Sequence, residues 1–313
     1  MATHKSSSAA TRRQTATPFS DAVVIRRAKP QDAQACGIIC YEAFTQINVR
    51  HGFPPDFPNV DAAIGVLSMM FSHPGFYCVV AEFEGKVAGS NCLDERSPIA
   101  GVGPITVNVQ IQNQRIGRAL MRVVLNRAAE RKFPGVRLLQ AAFHNRSLSL
   151  YAKLGFEVRE FVSVMQGPPI KQSMSGATSG AMRGYQVRTA SEADVESCNS
   201  LCQAVHGHER GGELTDAIKQ GTAVVAEHGG GITAYATSIG FFGHAVGRTN
   251  YDLQALLASA PAFLGPGILV PPRNAGLFRW CLENGLKVIE PLTLMTLGLY
   301  NEPTGAYLPS ILY

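Results

Sequence analysis

Residues Val23–Cys40 read VVIRRAKPQDAQACGIIC, and residues Tyr185–Cys202 read YQVRTASEADVESCNSLC. Ile25, Arg26, Ala28, Asp32, Cys36 and Cys40 recur as Val187, Arg188, Ala190, Asp194, Cys198 and Cys202, every pair 162 positions apart. This internal repeat constrains the fold more than any other feature, because each copy must be a unit of the same architecture. In both, an apolar strand precedes a helix whose start holds an aspartate, placed to favour the unpaired N–H groups and the positive end of the helix dipole. A second match sets VVAEFEGKVAG (Val79–Gly89) against VVAEHGGGITA (Val224–Ala234) and predicts a strand, a glycine turn and a return strand in each copy. Its offset is 145, so the first copy carries 17 more residues between helix and hairpin. They fall in the region containing HGFPPDFP, which suits neither a regular helix nor a central strand. A loop found in one copy alone is a candidate lid over a substrate, or else a surface insertion without a role.

With 313 residues the chain is long enough for two cores. Between the copies lies a Pro-, Gly- and Ser-rich stretch that predicts a linker. The expected organisation is a disordered tail over 1–21, a domain over 22–166, a linker over 167–184 and a second domain over 185–313. The tail is rich in Ser, Thr and Ala and poor in acids, a composition that also suits an organelle transit peptide, although it holds no clear amphipathic helix. A net charge of +5 without a basic stripe argues against nucleic acid. No apolar run reaches the ~18 residues of a membrane span. Seven cysteines with no secretion signal favour free thiols and a reducing, cytoplasmic compartment. Cys36 with Cys40, and Cys198 with Cys202, sit four apart on predicted helices and read as buried apolar side chains. No metal site is expected, and HGHER (His206–Arg210) reads as a loop of mixed charge. FFGHAVGRTN reads as a turn or as a loop near the active cleft, and LTLMTLGLY as a buried strand.

The chemistry concentrates in GPITVNVQIQNQRIGRALMRVVLNRAAERK. ITVNVQI alternates β-branched residues and predicts a strand, and the segment from Gly117 has helical spacing. The join, Gln114-Arg115-Ile116-Gly117-Arg118-Ala119, takes a strand through a short turn into a helix, with small residues at 117 and 119. Successive N–H groups at a helix start, at the positive end of the dipole, suit a pyrophosphate, and small side chains let it approach. The pattern Q-x-x-G-x-A fits neither a nucleoside-triphosphate loop nor a dinucleotide loop. Downstream, VRLLQAAF predicts a strand, HNRSLSLYAKLGF a short helix ending at Gly155, and FEVREFVSVM a returning strand.

Q-x-x-G-x-A followed by N-x-S-x-x-x-Y-x-K-L-G-F resembles the GCN5-related N-acetyltransferases (GNAT) in order and spacing, over about residues 23–165. The C-terminal half resembles a degenerate second domain of tandem members. The resemblance implies an α/β (α+β) fold of two tandem GNAT-like domains. Each would be a mixed, mostly antiparallel twisted sheet with a splayed central parallel pair flanked by helices. It implies acetyl-CoA as co-substrate in the splay, with no metal. Backbone groups of Thr106–Val109, including Val107 and Val109, would hold the pantetheine arm. Gln114, Arg115, Ile116, Gly117, Arg118, Ala119 and Leu120 would wrap the pyrophosphate. Asn145 would contact the cofactor arm, and Tyr151 would contact it and protonate the departing thiolate. Many relatives carry a glutamate on the splayed strands to accept the amine proton, whereas Pro104–Gln110 holds no acid. The candidates for that role are Asp94 and Glu95, which follow the hairpin strand, with His51 and His144 behind them.

In the second copy, Arg273–Phe278 offers the corresponding loop, with Phe278 where a small residue is needed, so one cofactor site is expected. The expected function is acetyl transfer to a primary amine of an unidentified small-molecule or peptide acceptor by direct attack in a ternary complex. A catalytically silent acyl-CoA-binding sensor or scaffold is the alternative, and a different phosphate-binding α/β protein a third reading. A homodimer is compatible with the sequence.

Overall fold

The computed structural model describes residues 23–170 and 184–313. The tail expected over 1–21 and the linker residues 171–183 lie outside the described residues. The two copies open as the repeat predicts, with β1 (Val23–Arg27) before α1 (Ala33–Arg50) and β8 (Gln186–Thr189) before α5 (Val195–His206). The repeated residues form one device twice. Arg26 donates to both Asp32 carboxylate oxygens at 2.7 and 2.8 Å and to Glu82 at 2.7 Å. Arg188 does the same with Asp194 at 2.7 and 2.8 Å and with Glu227 at 2.9 Å. The aspartates do not cap the long helices as expected. Each turns back to accept the N–H of Lys29 or Ser191 across a 3-10 turn, and the guanidinium lowers its pKa. Strand, helix start and hairpin are thereby tied at one point.

The first copy continues through α2 (Val60–Ser72), the hairpin β2 (Phe76–Phe83) and β3 (Lys86–Asp94), β4 (Ala100–Val102), β5 (Thr106–Val107), α3 (Ile116–Glu130), β6 (Gly135–Ala141), α4 (Asn145–Lys153) and β7 (Glu157–Gln166). The second runs in the same order through α6 (Gly211–Lys219), β9 (Val224–His228), β10 (Gly231–Ala236), β11 (Ala245–Gly247), α7 (Asn250–Ser259), β12 (Ile268–Val270), α8 (Ala275–Glu283), β13 (Lys287–Gly298) and a short β14 (Ala306–Leu308). The additional residues of the first copy lengthen α1 to 18 residues against 12 in α5, and α2 to 13 against 9 in α6, with a longer loop between them.

The expected mixed, mostly antiparallel architecture is present, but the sheets do not divide at the boundary between copies. Among the described residues one sheet runs β1-β2-β3-β4-β6-β13-β7-β12, with β5 on β3, and the other runs β14-β11-β10-β9-β8. Strand β13 of the second copy enters between β6 and β7 of the first, pairing Leu292 with Ala141 on one side and Val162 on the other. In return β7 lies between β13 and β12, with Ile268 opposite Met165. Each copy thus places one long strand inside the other. On one sheet face, Leu120 and Val124 of α3 pack on Val79, Leu93 and Leu138. On the other, Cys36 and Cys40 of α1 and Leu67 and Met70 of α2 pack with Phe76, Cys78 and Val80 of the sheet. Cys78 and Cys92 face one another across the hairpin and are joined as a disulfide, which departs from the expectation of free thiols; the other five cysteines are free and buried. Among the described residues no helix is long and apolar enough to cross a membrane.

The exchange makes each copy incomplete alone. A chain ended at residue 170 leaves the ladder edges of β6 and β7 unpaired, and it is expected to aggregate or to lack the cooperative thermal transition of the full chain. Scanning calorimetry of both chains checks this, and a truncated chain melting at the full chain's temperature would contradict it.

Candidate active site

The sheet opens at one place. Strand β4 pairs in parallel with β6 at Ala100–Val136 and Gly101–Arg137, and then the chain leaves. The next strand, β5, stays on β3, with Thr106 opposite Ser90 and Val107 opposite Gly89, and has no partner on the β6 side. Regular strand ends at Val107, short of the ITVNVQI expected, because the Asn108 side chain accepts the N–H of Gln110 at 2.9 Å and turns the chain into a 3-10 turn. The gap between β5 and β6 leads into a cavity of about 650 Å³.

At one end of the cavity lies the start of α3. Its cap residue, Arg115, has φ 62° and contributes no side-chain bond, and the first backbone N–H to bond within the turn is that of Ala119, to Arg115 at 3.0 Å. The N–H groups before it are the unpaired donors of a helix start. A Cβ on Gly117 would meet only Leu150 at 3.6 Å and Val107 at 3.8 Å, ordinary contacts. The fold therefore does not need glycine there, and the space it leaves belongs to the cavity. Arg115, Arg118 and Arg146 line the same end, and Arg146 ties α4 to the turn through Gln112 at 2.9 Å and Asn113 at 2.8 Å. Unpaired donors, room and three cations suit a pyrophosphate.

Of the expected site residues, Val107, Arg115, Ile116, Gly117, Arg118, Asn145 and Tyr151 line the cavity, and Val109, Gln114, Ala119 and Leu120 do not. Ala119 and Leu120 are buried in the core beneath α3, and Gln114 is exposed. Tyr151 is buried, and burial pushes its phenol well above the usual range, so it stays protonated. His51 and His144 also line the cavity. Burial and then Arg146 lower the pKa of His144.

Asp94 and Glu95 do not face the cleft, which corrects the expectation that they accept the amine proton. Asp94 is buried against Arg96 at 2.6 and 2.9 Å, and Arg96 reaches Asp216 of the second copy at 3.0 Å. Glu95 holds Arg127 of α3 at 2.7 and 3.0 Å. The acids that do line the cavity are Asp56, in the first-copy loop, and Glu290, on the exchanged strand. Burial and then the neighbouring Asp56 carboxyl push Glu290 up to about 8, and burial raises Asp56 as well. Sequence reasoning missed both. The available signals were an acid and a proline, Glu290-Pro291, at the head of an apolar strand, and an acid inside HGFPPDFP.

Among the described residues, the corresponding place in the second copy is closed. By element order its counterpart of the α3 turn is Arg248–Thr249 before α7, not Arg273–Phe278, which stands at the start of α8. Phe278 therefore does not decide the matter. The start of α7 is closed by its own side chains: Asp252 accepts the N–H of Thr249 at 2.6 Å, and Thr249 accepts the N–H of Asp252 at 3.4 Å. Strand β14 pairs with β11 on the side facing β12 and leaves a cavity of about 10 Å³, room for one water. Helix α8 carries Trp280 in place of a tyrosine.

Residues 42–156 match the model of the acetyltransferase (GNAT) family. The uncharacterized N-acetyltransferase YjgM of Escherichia coli is 26% identical over 143 residues, 43% of this chain and 81% of that protein. A candidate acetyltransferase of Pyrococcus horikoshii superposes with a TM-score of 0.70 at 16% identity, covering 94% of this chain and 98% of that one. A tandem GNAT protein from the clavulanic acid biosynthesis pathway superposes at 0.54 with 13% identity, over 88% and 98% of the two chains. These likenesses over nearly the whole length concern the fold.

The ion pairs of Asp94 and Glu95 are structural, and their variants separate accordingly. Asp94→Asn breaks the ion pair of a buried carboxylate, leaving Arg96 to Asp216 alone, and is expected to cost about 3 kcal/mol of stability. Glu95→Gln is expected to leave amine-dependent thiol release from acetyl-CoA within about twofold of the parent. Melting curves and a thiol assay read both, and a large rate loss in Glu95→Gln with an unchanged melt would return it to the chemistry.

Proposed function

We propose that this chain, whose residues 42–156 match the acetyltransferase (GNAT) family model, transfers acetyl from acetyl-CoA to a primary amine by direct attack in a ternary complex. The observation that carries this reading is the opening between β5 and β6. It ends at an uncapped helix start with three arginines and has Tyr151 on its wall. Acetyl-CoA supplies the acyl thioester. The α3 turn binds the pyrophosphate with unpaired N–H groups, and Arg115 and Arg118 add charge. Backbone groups of β5, freed from pairing with β6, hold the pantetheine arm, and N–H groups on that strand are placed to stabilise the oxyanion. Tyr151, kept protonated by burial, gives its proton to the departing sulfur. The second copy binds no cofactor, because Thr249 and Asp252 close its helix start with a capping pair that sets a carboxylate there, and β14 fills its splay.

Calorimetric titration of the full chain with acetyl-CoA is expected to give one site per chain, lost in Gly117→Trp. Tyr151→Phe is expected to keep that affinity while kcat with an accepted amine falls about 100-fold. Two sites per chain, or full turnover without the phenol, would sink this reading.

A further inference from the structure

Charge is divided along the cavity. Arg115, Arg118 and Arg146 line the end at α3 and α4, the two acids line the far end, on the α1–α2 side of the sheet, and a fourth arginine, Arg50 at the end of α1, lines the cavity as well. That far end is built by both copies. The first provides Phe44 on α1 and Phe57 in the loop; the second provides Phe241, Phe242 and Leu292. The chain's last strand is followed by Ile311 and Leu312, which also line the cavity, and Ile311 donates its N–H to Phe241 at 2.9 Å. Gln46, Asn48, Arg50 and His51 line the α1 side as well, and the lining holds no acid besides Asp56 and Glu290.

Both acids are deliberately placed. Asn48, itself buried, donates to Asp56 at 2.9 Å and to the carbonyl of Pro54 at 2.9 Å, which fixes the loop with the carboxyl inward. Glu290 follows a bulge: Val288 pairs with Met165 and Glu290 with Val164, so Ile289 is an extra residue that re-aims the next side chain. Glu290 is 3% exposed, and its Oε2 has no hydrogen-bond partner. A buried carboxyl oxygen without a partner costs stability, and such a cost persists where a ligand completes the bond. Asp56 is the carboxyl that acts on Glu290, and Arg50, which lines the same cavity, forms no ion pair with either acid among the described residues.

We propose that the Asp56–Glu290 pair is the ammonium-binding and proton-accepting site for the acceptor, and that the acceptor is a small primary amine carried on an apolar, preferably aromatic, body. This rests on the acetyl-transfer reading and deepens it. The ammonium completes the hydrogen bonds of Glu290, and the phenylalanines take the body. One N–H proton passes from the ammonium to the carboxylate pair and then to solvent. The nitrogen lone pair forms the bond to the thioester carbonyl carbon, and the C–S bond breaks with its electrons on sulfur. The sulfur takes a proton from Tyr151, and the second proton lost by nitrogen restores the phenol. The products are the amide, the free thiol and one released proton. Polyamines and aminoglycosides do not fit, because the lining offers their further charges no carboxylate beyond this pair and sets Arg50 against them. His144 lines the cavity too, but its proton affinity is lowered by burial and by Arg146, which makes it the weaker acceptor.

The test uses the full chain with acetyl-CoA, 2-phenylethylamine and spermidine as acceptors, and 2-phenylethanol as a neutral competitor. The expected result is a kcat/KM for 2-phenylethylamine at least about tenfold above that for spermidine, with weak competition by the alcohol. Glu290→Gln, nearly isosteric, is expected to lower kcat about 100-fold with unchanged acetyl-CoA affinity by calorimetry, and Asp56→Asn to lower it in the same direction. Acetyl-CoA binding with spermidine preferred, with neither amine acetylated, or with Glu290→Gln as active as the parent, overturns this inference and leaves the donor site standing. Failure to bind acetyl-CoA overturns the acetyl-transfer reading itself, and this inference with it.

Discussion

Strand β13 lies between β6 and β7, and most of what is particular to this protein follows from that placement. A strand inside a sheet is paired on both edges, so its register is fixed along its length. Leu292 is held opposite Ala141 and Val162 at once. The second copy cannot move away without opening the sheet that also forms the wall of the cleft. The salt links around Arg96, Asp94 and Asp216 then add to a joint that the backbone has already made. The same strand carries Glu290 into the cavity, so a residue more than a hundred positions downstream of the α3 turn reaches the first copy's cleft.

The two copies differ in how their helix starts and splays are filled. At α3 the cap is a residue with positive φ and no capping side chain, and the sheet beside it stays open. At α7 a threonine and an aspartate satisfy one another, and the chain's last strand occupies the gap. A carboxylate already sits where an anion would be drawn, so the dipole of α7 stabilises its own protein. Cavities of about 650 Å³ and about 10 Å³ express the same difference as space.

Much of this was legible in the residues. The repeat gave the strand–helix openings, and the Arg26–Asp32 and Arg188–Asp194 pairs explain why those positions recur together. The turn at Arg115–Gly117 and the helix bearing Asn145 and Tyr151 were found because their local geometry is written locally. The acids that line the cavity were not, because the position of Glu290 depends on which strand inserts where. Asp94 and Glu95 follow the hairpin in sequence, but their partners Arg96 and Arg127 turn them away from the cleft. Phe278 misled for a related reason: a matching tetrapeptide occurs at the wrong strand–helix junction, and only the order of elements identifies the right one. The lid reading of HGFPPDFP described a loop that in the structure brings Asp56 inward and stacks Phe53 on Phe143 at 4.3 Å.

The central claim is that one chain holds one donor site, in the first copy, walled by the second. Hydrogen exchange of the full chain with and without acetyl-CoA tests this by location. The account predicts protection across residues 104–119 and 141–151, with no change across 245–252 and 268–276. Protection of the second set, or of both sets alike, would contradict it.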